Sequence, residues 1–285
     1  MMRNAWLLGS GCLWAAMMYL LFDAEIRPYF EYQRPPSYRT MLRDRTQPEV
    51  QRRSVIFSRD RIGEAETLIV PLAGGGYSMA TRMTMRMRPF GAPPGLDDRV
   101  SMTNEVRVDQ GFQLSGFTMT GRMIGMPLSI TGQRRKDRLN VEYSFLTVKD
   151  KADFEFPMDA TLSDDFLPFQ GGAKLSEGKK WKMKMLDAEN MISLNTSKKL
   201  ALTELYVNVI EKEKIQAMGR EIQAWKIEVR KDLTKEVPAY TAWVDEAGIV
   251  VRQVKMINKI PVEILLEERR TLTSREAESY VWTVK

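Results

Sequence analysis

Methionine is the residue whose count stands out: 19 in a chain of 285. Met79, Met83, Met85 and Met87 keep to one parity, and Met183 and Met185 do the same beside Trp181. Soft thioethers ligate Cu(I), and flexible ones also fill cores and line promiscuous apolar grooves. In both rows the intervening positions are basic, Arg82, Arg86 and Arg88 in one and Lys180, Lys182 and Lys184 in the other. A face opposite a row of cations is most simply a buried face, so three readings stand: core packing, the lining of a cavity for a lipid or other apolar ligand, and copper. The candidate groove-lining set is Met79, Met83, Met85, Met87, Trp181, Met183, Met185, Trp225 and Trp243. No metal or other cofactor is expected.

Other chemistry is constrained by what the chain lacks. It contains no histidine and one cysteine, Cys12. That excludes Ser-His-Asp and Cys-His catalysis and zinc sites of the usual His or Cys type. It also excludes a disulfide or a thiol nucleophile in the body of the chain. Acidic pairs occur at Asp97-Asp98, Asp164-Asp165, Asp245-Glu246 and Glu267-Glu268. Glycosidase-type chemistry needs two carboxylates facing each other across a cleft, whereas neighbours on a strand point to opposite faces and those in turns are solvated. Gly74-Gly75-Gly76 lacks the Lys-Ser/Thr of a phosphate loop and reads as a turn. The chain therefore reads as a non-enzyme with no catalytic residue. The net charge of +6 is mild and interleaved. Its densest basic run, Gln133 to Arg138, reads as a solvated hairpin turn, and no nucleic-acid partner is expected.

The elements that position these residues have a period of two. Tyr77, Met79 and Thr81 alternate with Ser78, Ala80 and Arg82; Leu139, Val141, Tyr143 and Phe145 with Asn140, Glu142 and Ser144; Trp225, Ile227 and Val229 with Ala224, Lys226 and Glu228. Asp245-Glu246-Ala247-Gly248 joins one strand to the next. Half-polar strands separated by turns, with little room for crossover helices, predict a mainly β fold: a curved antiparallel sheet, or half-barrel, over residues 54–270. Short helices are expected at Ser163–Phe169 and Asp187–Ser193, and residues 271–285 form a tail.

Ahead of this body, Ala5 to Phe22 carries no charge over 18 residues. As a helix it would reach roughly 27 Å, close to the hydrocarbon thickness of a bilayer. No small-x-small site follows, which predicts an uncleaved transmembrane anchor over residues 1–22; a cleaved signal peptide and lipidation of Cys12 are the alternatives. Residues 23–53, with Pro28, Pro35, Pro36 and Pro48 among aromatic and arginine residues, predict an extended juxtamembrane stalk. Arg3 on one side and Arg27 and Arg34 on the other leave the charge rule for orientation undecided.

Several segments in order carry a resemblance. They are Ser54-Val55-Ile56-Phe57-Ser58 followed by Arg61-Ile62-Gly63-Glu64-Ala65-Glu66, then Val108-Asp109-Gln110-Gly111-Phe112, then Leu175-Ser176-Glu177-Gly178 before Trp181, then Ala224-Trp225-Lys226-Ile227, and finally Ala242-Trp243-Val244-Asp245-Glu246-Ala247-Gly248. This order resembles the β domain that precedes the catalytic domain in some bacterial transglutaminase-like membrane proteins, related to lipoprotein-carrier half-barrels. The resemblance implies export, hence a body facing the periplasm or exterior from the bacterial inner membrane, and it carries over no catalytic residue. The expected function is a membrane-anchored binding or scaffold module. Its expected partners are the bilayer through residues 5–22, a lipid or apolar ligand, and a membrane protein. A non-catalytic subunit of a larger membrane assembly is the alternative, and an envelope enzyme using carboxylates or lysines a more distant one.

Overall fold

A computed structural model describes residues 13–22, 32–33, 35, 37–90, 98–123, 125–145, 148–157, 160–162, 175–186, 202–234, 237–257 and 260–280. After a helical stretch at residues 13–21 come a two-residue strand β1 (Tyr32–Gln33) and a short helix α1 (Tyr38–Leu42). A run of antiparallel strands follows: β2 (Glu49–Phe57), β3 (Asp60–Pro71), β4 (Tyr77–Arg86), β5 (Arg99–Val108), β6 (Leu114–Met123), β7 (Met126–Arg135), β8 (Arg138–Phe145) and β9 (Val148–Glu155). After β10 (Thr161–Leu162) comes a second run: β11 (Lys180–Leu186), β12 (Leu202–Ala217), β13 (Arg220–Arg230), β14 (Tyr240–Val244), β15 (Val250–Ile257) and β16 (Ile260–Thr271), then helix α2 (Ser274–Glu278). The expected helices at Ser163–Phe169 and Asp187–Ser193 lie outside the described residues.

The topology is one open sheet built from two meanders. Its order is β1-β11-β12-β13-β14-β15-β16-β2-β3-β4-β5-β6-β7-β8-β9, with β10 beside β1 on the edge of β11. The chain thus enters at the middle, at β2, and works outward to β9. It then crosses to the far edge at β11 and works back until β16 lies antiparallel to β2. A sheet this wide must curl to cover one face.

Alternation dictates which face that is. In β4, Tyr77, Met79 and Thr81 are buried, and in β8 Leu139 and Val141 are buried between exposed Asn140 and Glu142. The inner face of the first meander forms one cluster with Ile69, Met79, Val106, Phe117, Ile130 and Leu139, onto which α1 lays Tyr38, Met41 and Leu42. The second meander forms another, with Trp181, Met183, Leu205, Val207, Ile227 and Ala242. A bulge between Val209 and Glu211 reverses the parity of β12. Its end, Ile215 and Ala217, then packs with Trp243, Ile249, Val251 and Leu266 in a third cluster. Gly63 is required by the crossing of β3 and β4, because a Cβ there would collide with the Thr84 carbonyl oxygen. The Asp245–Gly248 turn closes as its sequence suggests. The Asp245 N–H donates to the Ile249 carbonyl at 2.9 Å, and Gly248 takes a φ of 75°.

Two boundaries differ from the sequence reading. The first long strand starts at Glu49, and Tyr38–Leu42 is core-packed helix, so residues 38–53 pack with the body. Tail residues are likewise docked. Leu272, Ala277 and Tyr280 pack with Val50 and Leu68 on the outer face, and α2 is capped by Thr273, whose Oγ1 accepts from the Glu276 N–H at 3.2 Å. No described helix is long and apolar enough to cross a membrane. Residues 13–21 are helical and expose Leu13, Trp14, Met17, Tyr19 and Leu20, while residues 1–12 lie outside the described set.

The methionine row of β4 fades from core to rim: Met79 is 1% exposed, whereas Met83 and Met85 are half-buried. Met79→Ala should therefore cost about 2–5 kcal/mol, the range for a buried methionine, and Met85→Ala clearly less. Chemical denaturation of the two variants checks this; equal losses would contradict the gradient.

Candidate functional site

The inner face offers two apolar beds with a polar belt between them. Where β2 crosses the middle of the sheet, Glu49, Gln51 and Arg53 take the inward positions, in register with Ile69, Thr67 and Ala65 of β3. Thr81 of β4 and Asn104 of β5 continue the Gln51–Thr67 row. All of these polar side chains are buried, Gln51 and Thr67 completely.

The belt is a connected hydrogen-bond string. Arg45 Nη1 donates to Glu49 Oε1 at 2.8 Å, and Arg269 Nη2 of β16 donates to Glu49 Oε2 at 2.7 Å. Gln51 Nε2 donates to Glu49 Oε1 at 2.5 Å. Arg53 Nη2 donates to Gln51 Oε1 and its Nη1 to Thr67 Oγ1, which lies 3.2 Å from Thr81 Oγ1. Among the described residues, Asn104 Oδ1 ends the row without a hydrogen-bond partner, as does buried Gln253 Oε1 in β15. A buried acceptor left open is uncommon in a folded protein. Open acceptors of this kind can receive a hydrogen bond from a hydroxyl or an N–H, and the one carboxylate of the string is locked between two guanidinium groups.

Glu49 shows which effect wins. Burial pushes its carboxyl up, but the bonds from Arg269, Arg45 and Gln51 outweigh that and hold it below its ordinary value of 4.5. Asp245, in the turn near Arg269, is shifted the other way: burial raises it, partly offset by the Ile249 N–H.

The outer face over the same strands carries a second charged cluster. Arg52 Nε binds Glu66 at 2.6 Å and its Nη1 binds Glu268 at 3.2 Å; Arg61 reaches Glu64 and Glu267; the Tyr280 hydroxyl donates to Glu66 Oε1 at 2.5 Å. A cleft of about 280 Å³ lies here, lined by Arg52, Arg61, Glu64, Glu66, Glu267 and Glu268. A similar cleft at the strand ends is lined by Arg61, Gly63, Glu64, Met85, Arg86 and Arg99. Both are polar, and their charges are largely paired.

The structure does not gather the nine sequence-nominated residues into one groove. Met79 lies in the first bed; Trp181, Met183, Met185 and Trp225 share the second. Met83 packs at the junction with Ala65 and Ile264. Met85 lines the rim cleft, and Met87 follows the end of β4, its N–H bonded to the Asp98 carbonyl at 2.6 Å. Trp243 faces away from Trp225, because its partner in the neighbouring strand is Lys226. It sits in the third cluster, with its Nε1–H donating to Glu213 Oε2 at 2.8 Å and Arg252 over its ring. Among the acidic pairs, Glu246 pairs with Lys212 at 2.7 Å, Glu267 and Glu268 with Arg61 and Arg52, and Asp97 and Asp164-Asp165 lie outside the described residues. Among the described residues, no group of three or more His, Cys, Asp or Glu is placed to hold a metal ion. The belt escaped the sequence reading because Glu49–Arg53 looks like charged linker. The signal was the parity Gln51, Arg53 and Val55, which places two polar residues on the apolar face.

No family model and no curated protein matches the chain. Among solved structures it is similar to a β-barrel-like protein of the domain of unknown function DUF1849 from Brucella abortus. That match has 12% identity and a TM-score of 0.51, and covers 79% of this chain and 98% of the other. It supports the fold: an open, barrel-like β sheet. Two weaker matches carry no argument. One is to a candidate lipoprotein from Parabacteroides distasonis (10% identity, TM-score 0.26, covering 84% of this chain and all of the other). The other is to a candidate outer-membrane lipoprotein-sorting domain from Vibrio parahaemolyticus (7% identity, TM-score 0.21, 86% and 92%). None of these comparisons points to a transglutaminase-like protein.

Glu49 yields a pH prediction. Its folded value is depressed, so its contribution is complete above the unfolded value of about 4.5 and is lost as pH falls through the folded one. Glu49→Gln should remove that part of the acid limb. Because it leaves Arg45 and Arg269 without their carboxylate, it should also lower stability at neutral pH by roughly 3 kcal/mol. Urea titrations from pH 3 to 7 read both effects; an unchanged acid limb and unchanged neutral stability would refute the role given to Glu49.

Proposed function

We propose that this chain is a membrane-tethered, extracytoplasmic binding module without a catalytic role. Its inner face takes one chain of a lipid or similar amphiphile. The observation that carries this reading is α1. Three of its five residues, Tyr38, Met41 and Leu42, are buried on the first apolar bed, yet the helix is not part of the sheet. Just past its end the Tyr77 hydroxyl donates to the Arg45 carbonyl at 3.1 Å, and the Leu162 N–H donates to the Tyr38 hydroxyl at 3.3 Å. Such a segment is a built-in occupant that an acyl chain of similar bulk can replace, with the polar end of the ligand meeting the belt.

Tethering is supported by the uncharged run from Ala5 to Phe22 and by the apolar side chains that its described part exposes. A single span with the body outside the bacterial inner membrane is favoured by the order of segments that resembles the exported β domain of transglutaminase-like membrane proteins. Residues 23–37 between the uncharged run and α1 can extend at most about 50 Å, so the apolar bed stays within reach of a bilayer where a lipid ligand would be found.

The experiment uses the full chain in lipid nanodiscs containing a photoreactive palmitic acid. The expected result is cross-linking to peptides of β4 to β8, increased in Leu42→Ser, which loosens α1. Cross-links confined to residues 5–22 in both proteins would overturn ligand binding and leave a scaffold role.

A further inference from the structure

The sheet ends at β9, and no described strand pairs with its outer edge. The phase of its backbone follows from the β7–β8 hairpin. Lys136 and Asp137 form a two-residue loop between Arg135 and Arg138, so that pair exchanges both of its hydrogen bonds. Arg138 therefore turns its peptide groups toward β7, and Leu139, Val141 and Tyr143 turn theirs toward β9. Their partners Phe154, Ala152 and Asp150 answer them. The Phe156 N–H, bonded to the Asp137 carbonyl at 2.7 Å, keeps the same phase. The N–H and C=O groups of Lys149, Lys151, Asp153 and Glu155 point away from the sheet; on the unpaired edge the Lys151 N–H donates to Asp150 Oδ1 at 2.7 Å and the Asp153 carbonyl accepts from Arg138 Nη2 at 3.3 Å, two exposed bonds that strand pairing exchanges for backbone ones. The side chains of these four residues are exposed on the outer face.

We propose that a second copy of this chain pairs with this edge, β9 against β9, antiparallel about a two-fold axis at Ala152. Charges on an edge strand ordinarily keep it from pairing, but the order of signs here, two positive and then two negative, is self-complementary. With Ala152 opposite Ala152 of the partner subunit, Lys151 faces Asp153 of the partner subunit and Lys149 faces Glu155 of the partner subunit. All four residues with outward peptide groups then form hydrogen-bonded pairs, giving on the order of eight backbone bonds across the axis. A slip of the axis by one residue sets Lys151 against its own copy or Asp153 against its own, and a further slip sets Lys149 against Lys151. Only one register matches every charge, so the pattern selects against the others. Existing ion pairs extend the match. Lys151 binds Glu142 at 2.6 Å and Arg138 binds Asp153 at 3.0 Å. Across the junction the outer face therefore reads negative, positive, negative, positive, from Glu142 through Lys151 to the partner's Asp153 and the partner's Arg138. This isologous arrangement closes as a dimer, leaving no free β9 edge.

The test uses the full chain with Cys12→Ser, so that an added cysteine is the only thiol. Ala152 lies at a pair without hydrogen bonds, where Cα atoms approach to about 4.5 Å, within disulfide range. Mild oxidation of the Ala152→Cys protein should give a covalent dimer on a non-reducing gel, and Lys151→Cys should give little or none. Adding Lys151→Glu to the Ala152→Cys protein should abolish the dimer, because it sets a carboxylate against the partner's Asp153. Adding Lys151→Glu together with Asp153→Lys should restore it. Equal cross-linking at positions 151 and 152, no cross-linking at 152, or failure of the double exchange to restore it would overturn the proposal. Melting temperatures of the charge variants, expected to match the parent because these residues are exposed, separate lost pairing from lost folding.

Discussion

Everything in this molecule depends on the pairing of β16 with β2. The two meanders are each local, each strand pairing with the next in sequence, and each has its own apolar bed. They become one sheet only because residues more than two hundred positions apart lie side by side: Arg269 reaches Glu49 across a separation of 220. Closing so long a loop costs entropy that only the completed contact offsets. Several charged pairs reinforce that contact. Glu49 with Arg45 and Arg269 lies on the inner face; Arg52 with Glu66 and Glu268 lies on the outer one; Tyr280 is laid over the latter by α2. The inner pairs are shielded and their loss is costly, whereas the outer ones are half exposed and worth little singly.

The same seam produces the polar belt. Glu49, Gln51 and Arg53 occupy inward positions because the strand's parity leaves no others, and hydrogen bonding makes their burial tolerable. The consequence is an inner face in two apolar halves joined by a polar row whose open acceptors can receive a hydroxyl or an N–H. Copper ligation finds little support in this arrangement: the methionines are divided between the two halves, the junction and the rim, and Met79 and Met183 are packed in clusters among aliphatic and aromatic neighbours.

Much of the fold was legible because strands with one wet face write their period into the sequence. β4, β8, β11 and β13 were all readable in this way, and so was the Asp245–Gly248 turn. The pairing order was not, since nothing local in β16 names β2 as its neighbour. Strand β2 itself was half hidden, because Arg52-Arg53 after a proline-rich stretch looks like solvated linker although Arg53 is 2% exposed. Trp243 was grouped with the wrong face because a bulky aromatic draws attention from Ala242 and Val244, the residues that face the bed. The α1 helix was unreadable for a different reason: five residues are too few to show a period, and tertiary packing rather than propensity makes them helical.

Hydrogen exchange resolved by residue on the full chain tests the central claim, that the seam makes the two meanders a single cooperative unit. The account predicts that the amides bonded between β2 and β16 exchange only with global unfolding, with protection equal to that of β3 and β15 on either side. Faster exchange at β16 together with β11–β15, while β2 remains protected with β3–β8, would show two units that merely touch and would contradict it.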